Sequence, residues 1–127
     1  MPVTCEFDSE KKLITMVVDG QISVCDLVAV YQDALGHEKF ERDMNVIWDL
    51  SRINLTKVPV GDIRKIPLAL NKFMPARGDN YKAALVTRNS LDFHMMRIYM
   101  SILKLVGSNF QIRLFQSKND AWKWLDS

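Results

Sequence analysis

The chain has 127 residues and a mass of 14.7 kDa, a size typical of one domain with a hydrophobic core. Hydrophobic residues make up 48% of it and charged residues 25%, with a net charge of +2, which excludes an intrinsically disordered class. No uncharged apolar run reaches the roughly 18 residues of a membrane span, and the first residues contain no apolar signal-peptide segment. We expect one cytoplasmic domain over residues 1–127, with its two cysteines, Cys5 and Cys25, reduced.

The chain begins with the pattern of an antiparallel β-hairpin. Apolar residues recur at every second position in residues 3–7 and again in residues 13–18, with the polar turn "DSEKK" between them. Ser23 is then predicted to cap a helix that ends at Gly36, and Asp26 supplies a weak capping box. The predicted apolar face of that helix consists of Leu27, Tyr31, Ala34 and Leu35.

Three short apolar runs in the rest of the chain predict three further strands. They are "NVIWDL" at residues 45–50, "KAALVT" at residues 82–87 and "FQIRLF" at residues 110–115. A helical pattern follows each run.

The helices after these runs are predicted at about residues 60–74, 91–106 and 119–125. The first carries an apolar stripe of Ile63, Ile66, Leu70 and Phe73. Pro67 is expected to kink that helix or to split it at Ile66. Asn89 or Ser90 is predicted to cap the helix at residues 91–106.

The element order is therefore ββαβαβαβα. Strands that alternate with helices imply a mostly parallel sheet, and the initial hairpin supplies one antiparallel pair. The predicted fold is a single α/β domain in which a mixed, mostly parallel five-stranded sheet packs with four helices.

This element order and four motifs resemble the STAS superfamily, whose best known members are anti-sigma-factor antagonists. The motifs are "VDGQIS", "VIWDLSRI", "AALVT" and the ending "RLFQSKNDAWKWL". In that ending Ala121, Trp124 and Leu125 reproduce the Ala-x-x-Trp-Leu closure of the family. The closer similarity is to the SpoIIAA-like branch, which implies a small cytosolic domain for which binding of apolar ligands or membranes has been proposed.

The chain departs from the antagonist pattern at the start of the helix after the third strand. Antagonists carry an Asp-Ser-Ser/Thr-Gly segment there, and its serine is phosphorylated. The corresponding residues, Lys57 to Val60, contain no hydroxyl group. Thr56 and Ser51 lie nearby but do not match the motif, so we expect no phosphoserine switch of the antagonist type.

The helix predicted at residues 91–106 is apolar over roughly 240° of its circumference, whereas packing on a sheet requires a little over 100°. One stripe is predicted to face the sheet: Leu91, Met95, Ile98, Ile102 and Val106. A second stripe is then surplus: Phe93, Met96, Met100 and Leu103.

Three uses of the surplus stripe are open. It packs on the helix at residues 60–74, it lines a groove for an apolar chain or a partner helix, or it forms a homodimer seam. The candidate residues for an apolar ligand or an interface are Leu70, Phe73, Met74, Phe93, Met96, Met100 and Leu103.

Charge is unevenly distributed along the chain. Residues 1–49 contain ten acids and four bases, whereas residues 52–82 contain seven bases and two acids. The bases near the second helix are candidates for contact with an anionic lipid headgroup, a fatty carboxylate or a membrane surface. They are Lys57, Arg64, Lys65, Lys72 and Arg77. The alternative is that two solvated faces differ in charge without a partner.

A second candidate site follows from the predicted sheet, because open α/β sheets usually bind ligands at the carboxyl ends of their strands. The polar residues there are Asp49, Ser51, Thr87, Arg88, Asn89 and Ser90. Backbone N–H groups and Arg88 can hold an anion at this edge, and the alternative is that these residues only cap a helix.

No catalytic, metal or cofactor motif is present in the sequence. His37 and His94 lack metal-ligand spacing, and no nucleophile elbow, phosphate-binding loop or Cys-x-x-Cys is found. The basic residues are not interleaved with aromatic ones, which argues against nucleic-acid binding.

The predicted function is therefore a non-enzymatic domain that binds an apolar or amphipathic ligand, or an anionic membrane surface, through its second and third helices. It would be cytoplasmic and, where it contacts a membrane, peripheral to it. The alternative is a protein-interaction or regulatory module, self-associating or partner-binding, that lacks the phosphoserine switch.

Overall fold

Five strands form one sheet in the order in which they follow one another in the chain. The computed structural model describes residues 3–20, 23–54, 57, 59–78, 80–105 and 111–127. The strands are β1 (Val3–Asp8), β2 (Leu13–Asp19), β3 (Asn45–Arg52), β4 (Lys82–Thr87) and β5 (Gln111–Phe115). β1 pairs with β2 in the antiparallel sense, and every later neighbour is parallel. The predicted α/β class and mostly parallel sheet are confirmed.

Four longer helices and one short one connect the strands in the described part of the chain. They are α1 (Val24–Leu35), α2 (Val60–Leu70), α3 (Met74–Arg77), α4 (Ser90–Leu105) and α5 (Lys118–Leu125), and the 3-10 turn Asn71–Phe73 joins α2 to α3. Of the two effects expected of Pro67, a kink or a split at Ile66, the split is wrong, because α2 continues through Pro67 and changes to 3-10 geometry only after Leu70. A proline removes only one helical hydrogen bond, and the remaining bonds can hold the helix together.

Side-chain alternation along the strands gives the sheet two apolar faces. One face packs on α1 and α4, which contribute Ala34 and Met96 to a core cluster with strand residues such as Met16 and Leu85. The other face packs on α5. Because β3 and β4 are inner strands covered on both faces, their sequences are nearly continuous apolar runs rather than alternating ones.

Local hydrogen bonds fix the ends of the helices as the sequence predicts. Ser23 and Asp26 form a reciprocal capping box on α1, and Gly36 ends that helix. The Asn89 side chain accepts a hydrogen bond from the N–H of Asp92 at 2.9 Å, so Asn89 caps α4. The C-terminus of α5 is held by Lys82 of β4, whose ammonium group donates a hydrogen bond to the carbonyl of Trp124 at 3.2 Å.

Candidate functional site

The structure divides the predicted surplus stripe of α4. Met96 is buried in the core cluster beneath the sheet, whereas Phe93 and Met100 are half-buried. Leu103 lies in α4, but its side chain is outside the described residues. Met96 is therefore a core residue rather than part of an exposed stripe.

Leu91 shows the complementary error. It was expected to face the sheet, but its side chain is 61% exposed. His94, Arg97 and Ser101 are exposed as the helical wheel predicts. The buried side of α4 is thus turned toward Asp92 and Met96 rather than toward Leu91.

Leu70, Phe73 and Met74 belong to a small cluster between α1 and the end of α2. Leu70 is buried with Leu27 and Tyr31 of α1, and the half-buried Phe73 and Met74 pack against them. The Phe73 ring lies 5.3 Å from the Tyr31 ring. These predicted ligand residues therefore contact α1, which the sequence prediction had not included in the site.

The outer side of α2 carries an exposed leucine between two exposed lysines. Leu68 is 59% exposed, and Lys65 and Lys72 are exposed beside it. Lys65 and Leu68 are three positions apart and share one face of α2, and Lys72 lies in the 3-10 turn directly after that helix. We call Lys65, Leu68 and Lys72 the α2 surface. Lys57 is also exposed, and the Arg64 side chain lies outside the described residues.

Arg77 does not belong to this basic surface, contrary to the prediction. Its side chain is only 2% exposed, and its Nη2 donates to the carbonyl oxygen of Met44. The guanidinium carbon lies 3.7 Å from the centre of the Tyr81 ring and 5.9 Å from that of Phe40. The planar cation is therefore stacked among aromatic rings inside the protein.

Tyr31 lies next to this buried cation. Burial raises the pKa of the Tyr31 phenol, while the charge of Arg77 and hydrogen bonds with Arg77 and Tyr81 act in the opposite direction. The Tyr31 ring is parallel to that of Trp48, with centroids 6.3 Å apart. Arg77, Tyr31 and Tyr81 thus form a hydrogen-bonded group in apolar surroundings, which we call the Arg77 cluster.

Most polar groups at the carboxyl edge of the sheet are engaged within the protein. Asp49 is 7% exposed, accepts hydrogen bonds from the N–H of Ser51 at 3.0 Å and from its hydroxyl at 2.5 Å, and lies 3.8 Å from the Lys118 ammonium. Thr87 is fully buried and donates to the carbonyl of Phe115. The candidate Thr56 lies outside the described residues.

The α4 side of the same edge is also paired internally. Arg88 donates to the buried carboxylate of Asp92 at 2.9 Å, and Asn89 caps the helix. Ser90 is the exposed first residue of α4. Asn89 matches the capping interpretation, whereas Asp49, Thr87 and Arg88 are engaged by other contacts within the protein.

Two features of the described structure escaped sequence reasoning. The first is the exposure of two leucines: Leu91 was expected to face the sheet, and Leu68 was not singled out. The second is the contact of Arg77 with Met44, which joins residues 33 positions apart. The position of Tyr81 directly before an apolar strand is the available signal for an aromatic neighbour of Arg77. That signal cannot be interpreted without the fold, which brings the two residues together.

The described residues contain no group of three or more His, Cys, Asp or Glu side chains placed to hold a metal ion. Within the same ranges, none of the helices has the length and apolar character needed to cross a bilayer. A scan against protein-family models, a search of curated proteins and a search of solved structures each find no match.

Proposed function

We propose that this domain is a non-enzymatic module that binds an anionic membrane surface through the α2 surface. The observation that carries the proposal is the 59% exposure of Leu68 between two exposed lysines. An isolated exposed leucine is common on proteins, but a leucine with exposed cations before and after it along the chain has the composition of an interfacial contact.

The two kinds of side chain would act on different parts of the bilayer. Lys65 and Lys72 supply attraction of about 1 kcal/mol each near an anionic leaflet, and Leu68 adds apolar burial at the headgroup boundary. The Lys72 ammonium lies 5.1 Å from the Phe73 ring, so the half-buried aromatic is beside the charge. Aromatic rings favour the membrane–water interface.

The proposal is tested by co-sedimentation of the protein with vesicles of phosphatidylcholine alone and with added phosphatidylglycerol. Wild type should bind the anionic vesicles and lose binding at high salt. The double variant Lys65→Gln/Lys72→Gln should bind about thirtyfold more weakly, since two contributions of about 1 kcal/mol are lost. Leu68→Ser should also weaken binding.

Leu91→Ser is the matched control, because Leu91 is 61% exposed but lies on α4 outside the α2 surface. It should bind vesicles as wild type does. Equal binding to neutral and anionic vesicles, or an equal loss in the Leu91→Ser and Leu68→Ser variants, would overturn the proposal.

Leu91 also favours a second candidate function, a self-associating or partner-binding module. An exposed leucine at the first turn of a helix can serve as an interface residue. Native mass spectrometry of the protein tests self-association. A dimer that Leu91→Ser converts to a monomer, with no binding to anionic vesicles, would favour this second function over the membrane contact.

We also propose that the domain is a SpoIIAA-like member of the STAS superfamily. The proposal is supported by the element order and by the packing of the ending, in which Ala121 and Leu125 are buried against the sheet with Trp124 beside them. The exposed Lys57 stands where antagonists begin their phosphorylated segment. The proposed membrane contact therefore does not depend on a phosphoserine.

A further inference from the structure

The buried Arg77 guanidinium has no anionic partner among the described residues. The three described ion pairs join Asp19 with Arg52, Asp92 with Arg88 and Asp49 with Lys118. An arginine stays charged at every physiological pH, so it cannot relieve its burial by losing a proton. Buried charges in proteins are usually paired because desolvating an isolated ion is costly.

The hydrogen bonds of Arg77 are also incomplete. Nη2 donates to the carbonyl of Met44, but Nη1 is buried and has no hydrogen-bond partner. Buried polar atoms without partners are rare in proteins and call for an explanation. Arg77 therefore keeps one buried donor nitrogen without an acceptor among the described residues.

We propose that the Arg77 cluster is the binding site for the carboxylate of an apolar acid, with Arg77 and the Tyr31 phenol as its donors. A carboxylate carries one negative charge and two acceptor oxygens, which match one guanidinium with a free nitrogen. The surroundings favour an apolar tail, since Leu27, Leu70, Phe73 and Met74 pack beside Tyr31.

The segment that covers the cluster is short. Phe73 and Met74 are both half-buried, and they lie where the 3-10 turn passes into the single turn of α3. Methionine is unbranched and adapts its shape to a new neighbour. The Phe73 ring contacts Tyr31 and the Met74 sulfur lies 3.8 Å from the Tyr81 hydroxyl, so these are the side chains that an incoming apolar tail would displace.

This inference goes beyond the proposed membrane contact and does not depend on it. Arg77 is 2% exposed and points inward, whereas Lys65 and Lys72 are exposed on the α2 surface. A free acid in solution is sufficient to occupy the cluster. Failure of the carboxylate site and failure of the membrane contact are therefore separate results, obtained with different variants.

The test is isothermal titration calorimetry of the full chain with monomeric dodecanoate and with its uncharged methyl ester. Wild type should bind dodecanoate at least tenfold more tightly than the ester, because the ester cannot pair with Arg77. Arg77→Met should weaken dodecanoate binding by roughly ten- to a hundredfold and leave ester binding unchanged. Tyr31→Phe should cause a smaller, several-fold loss.

Two further variants separate the site from general effects of charge and folding. Arg77→Lys retains the charge but not the forked donors, so its affinity should lie between those of wild type and Arg77→Met. Lys65→Gln/Lys72→Gln should bind dodecanoate as wild type does. The comparison of acid with ester in wild type needs no variant, so it stands even where Arg77→Met does not fold. Absence of dodecanoate binding, equal affinity for acid and ester, or tighter binding of dodecyl phosphate than of dodecanoate would overturn the proposal.

Discussion

Replacement of Gly78 by alanine should strongly destabilise the fold, because this glycine closes the turn that holds Arg77 inside. Gly78 has φ of +101° and donates its N–H to the carbonyl of Met74 at 2.9 Å. A Cβ atom there would lie 2.0 Å from Oδ1 of Asp43 and 2.8 Å from its Cγ. The same Oδ1 accepts a hydrogen bond from the N–H of Asn80 at 3.0 Å.

The expected cost has two parts. A non-glycine residue in this backbone region costs about 1–3 kcal/mol. Displacing the Asp43 carboxylate would also cost its bond with Asn80, at about 1.5–3 kcal/mol for a bond to a charged group. Gly78→Ala should therefore lower the free energy of unfolding by about 2.5–6 kcal/mol, measured by urea denaturation followed through tryptophan fluorescence. At about 3–5 °C per kcal/mol for this size, the melting temperature should fall by about 8–30 °C.

Gly61→Ala is the matched control, since a Cβ atom at Gly61 meets no atom within 4 Å in α2. It should leave stability unchanged or raise it by up to about 1 kcal/mol. Because Asp43 has φ of +69°, which glycine tolerates, Asp43→Gly is the partner variant: Gly78→Ala should cost less stability in the Asp43→Gly background than in wild type, since the carboxylate overlap is absent and only the φ part remains. Wild-type stability of Gly78→Ala would refute this reasoning.

Three further perturbations test other parts of the described structure. Asn89→Ala removes the cap of α4 and should lower the free energy of unfolding by about 1 kcal/mol in urea, whereas an unchanged midpoint would contradict the capping role. Burial raises the pKa of Tyr31 above its usual 10.0, so its contribution to stability is fully present below pH 10.0 and is lost as the pH rises through the folded-state pKa. Urea unfolding between these limits should show a smaller alkaline loss in Tyr31→Phe than in wild type, and equal slopes would argue against the shift. Burial also raises the pKa of the half-buried Cys5 thiol above its usual 9.0, while Cys25 is exposed, so a thiol reagent at pH 8 should react first at Cys25. Cys25→Ser should remove the fast phase of that reaction, and a fast phase that persists would assign it to Cys5.

The elements of the fold were predictable because their signals are local. The alternation in β1 and β2 requires only neighbouring residues, as do the Ser23 capping box and the Asn89 cap, and all of these are present in the structure. The nearly continuous apolar run of β4 likewise reports burial on both faces of the sheet. These features need no knowledge of distant contacts.

The orientation of α4 could not be predicted, because its apolar arc is wider than the sheet requires. A wide arc leaves the inward direction undetermined, and the sequence prediction centred it on Leu91. The fully buried Asp92 and the buried Met96 show that the inward side is rotated by about 120° from Leu91. Asp92 is buried on this side with Arg88 as its ion-pair partner, which a wheel of apolar residues ignores.

Arg77 was placed on the surface because an arginine at a helix end is normally exposed. Its burial depends on the Met44 carbonyl and on the rings of Phe40 and Tyr81, which only the fold brings together. The basic residues that were predicted to form one anion-binding group near the second helix therefore lie in two separate places. The lysines remain outside, and the arginine faces inward.

This division follows from the change of helical geometry after Leu70. Continued α-helical geometry would set Arg77 about 120° from Lys65 around the helix axis, but the 3-10 turn and α3 intervene and direct Arg77 toward β3 and β4. One continuous segment therefore carries an outward surface with two cations and an inward cluster with one. A membrane contact needs the outward charges and tolerates loss of Arg77, whereas a carboxylate site needs Arg77 and tolerates loss of the lysines. Because each set of variants leaves the other set intact, the two proposals can be decided independently on the same protein.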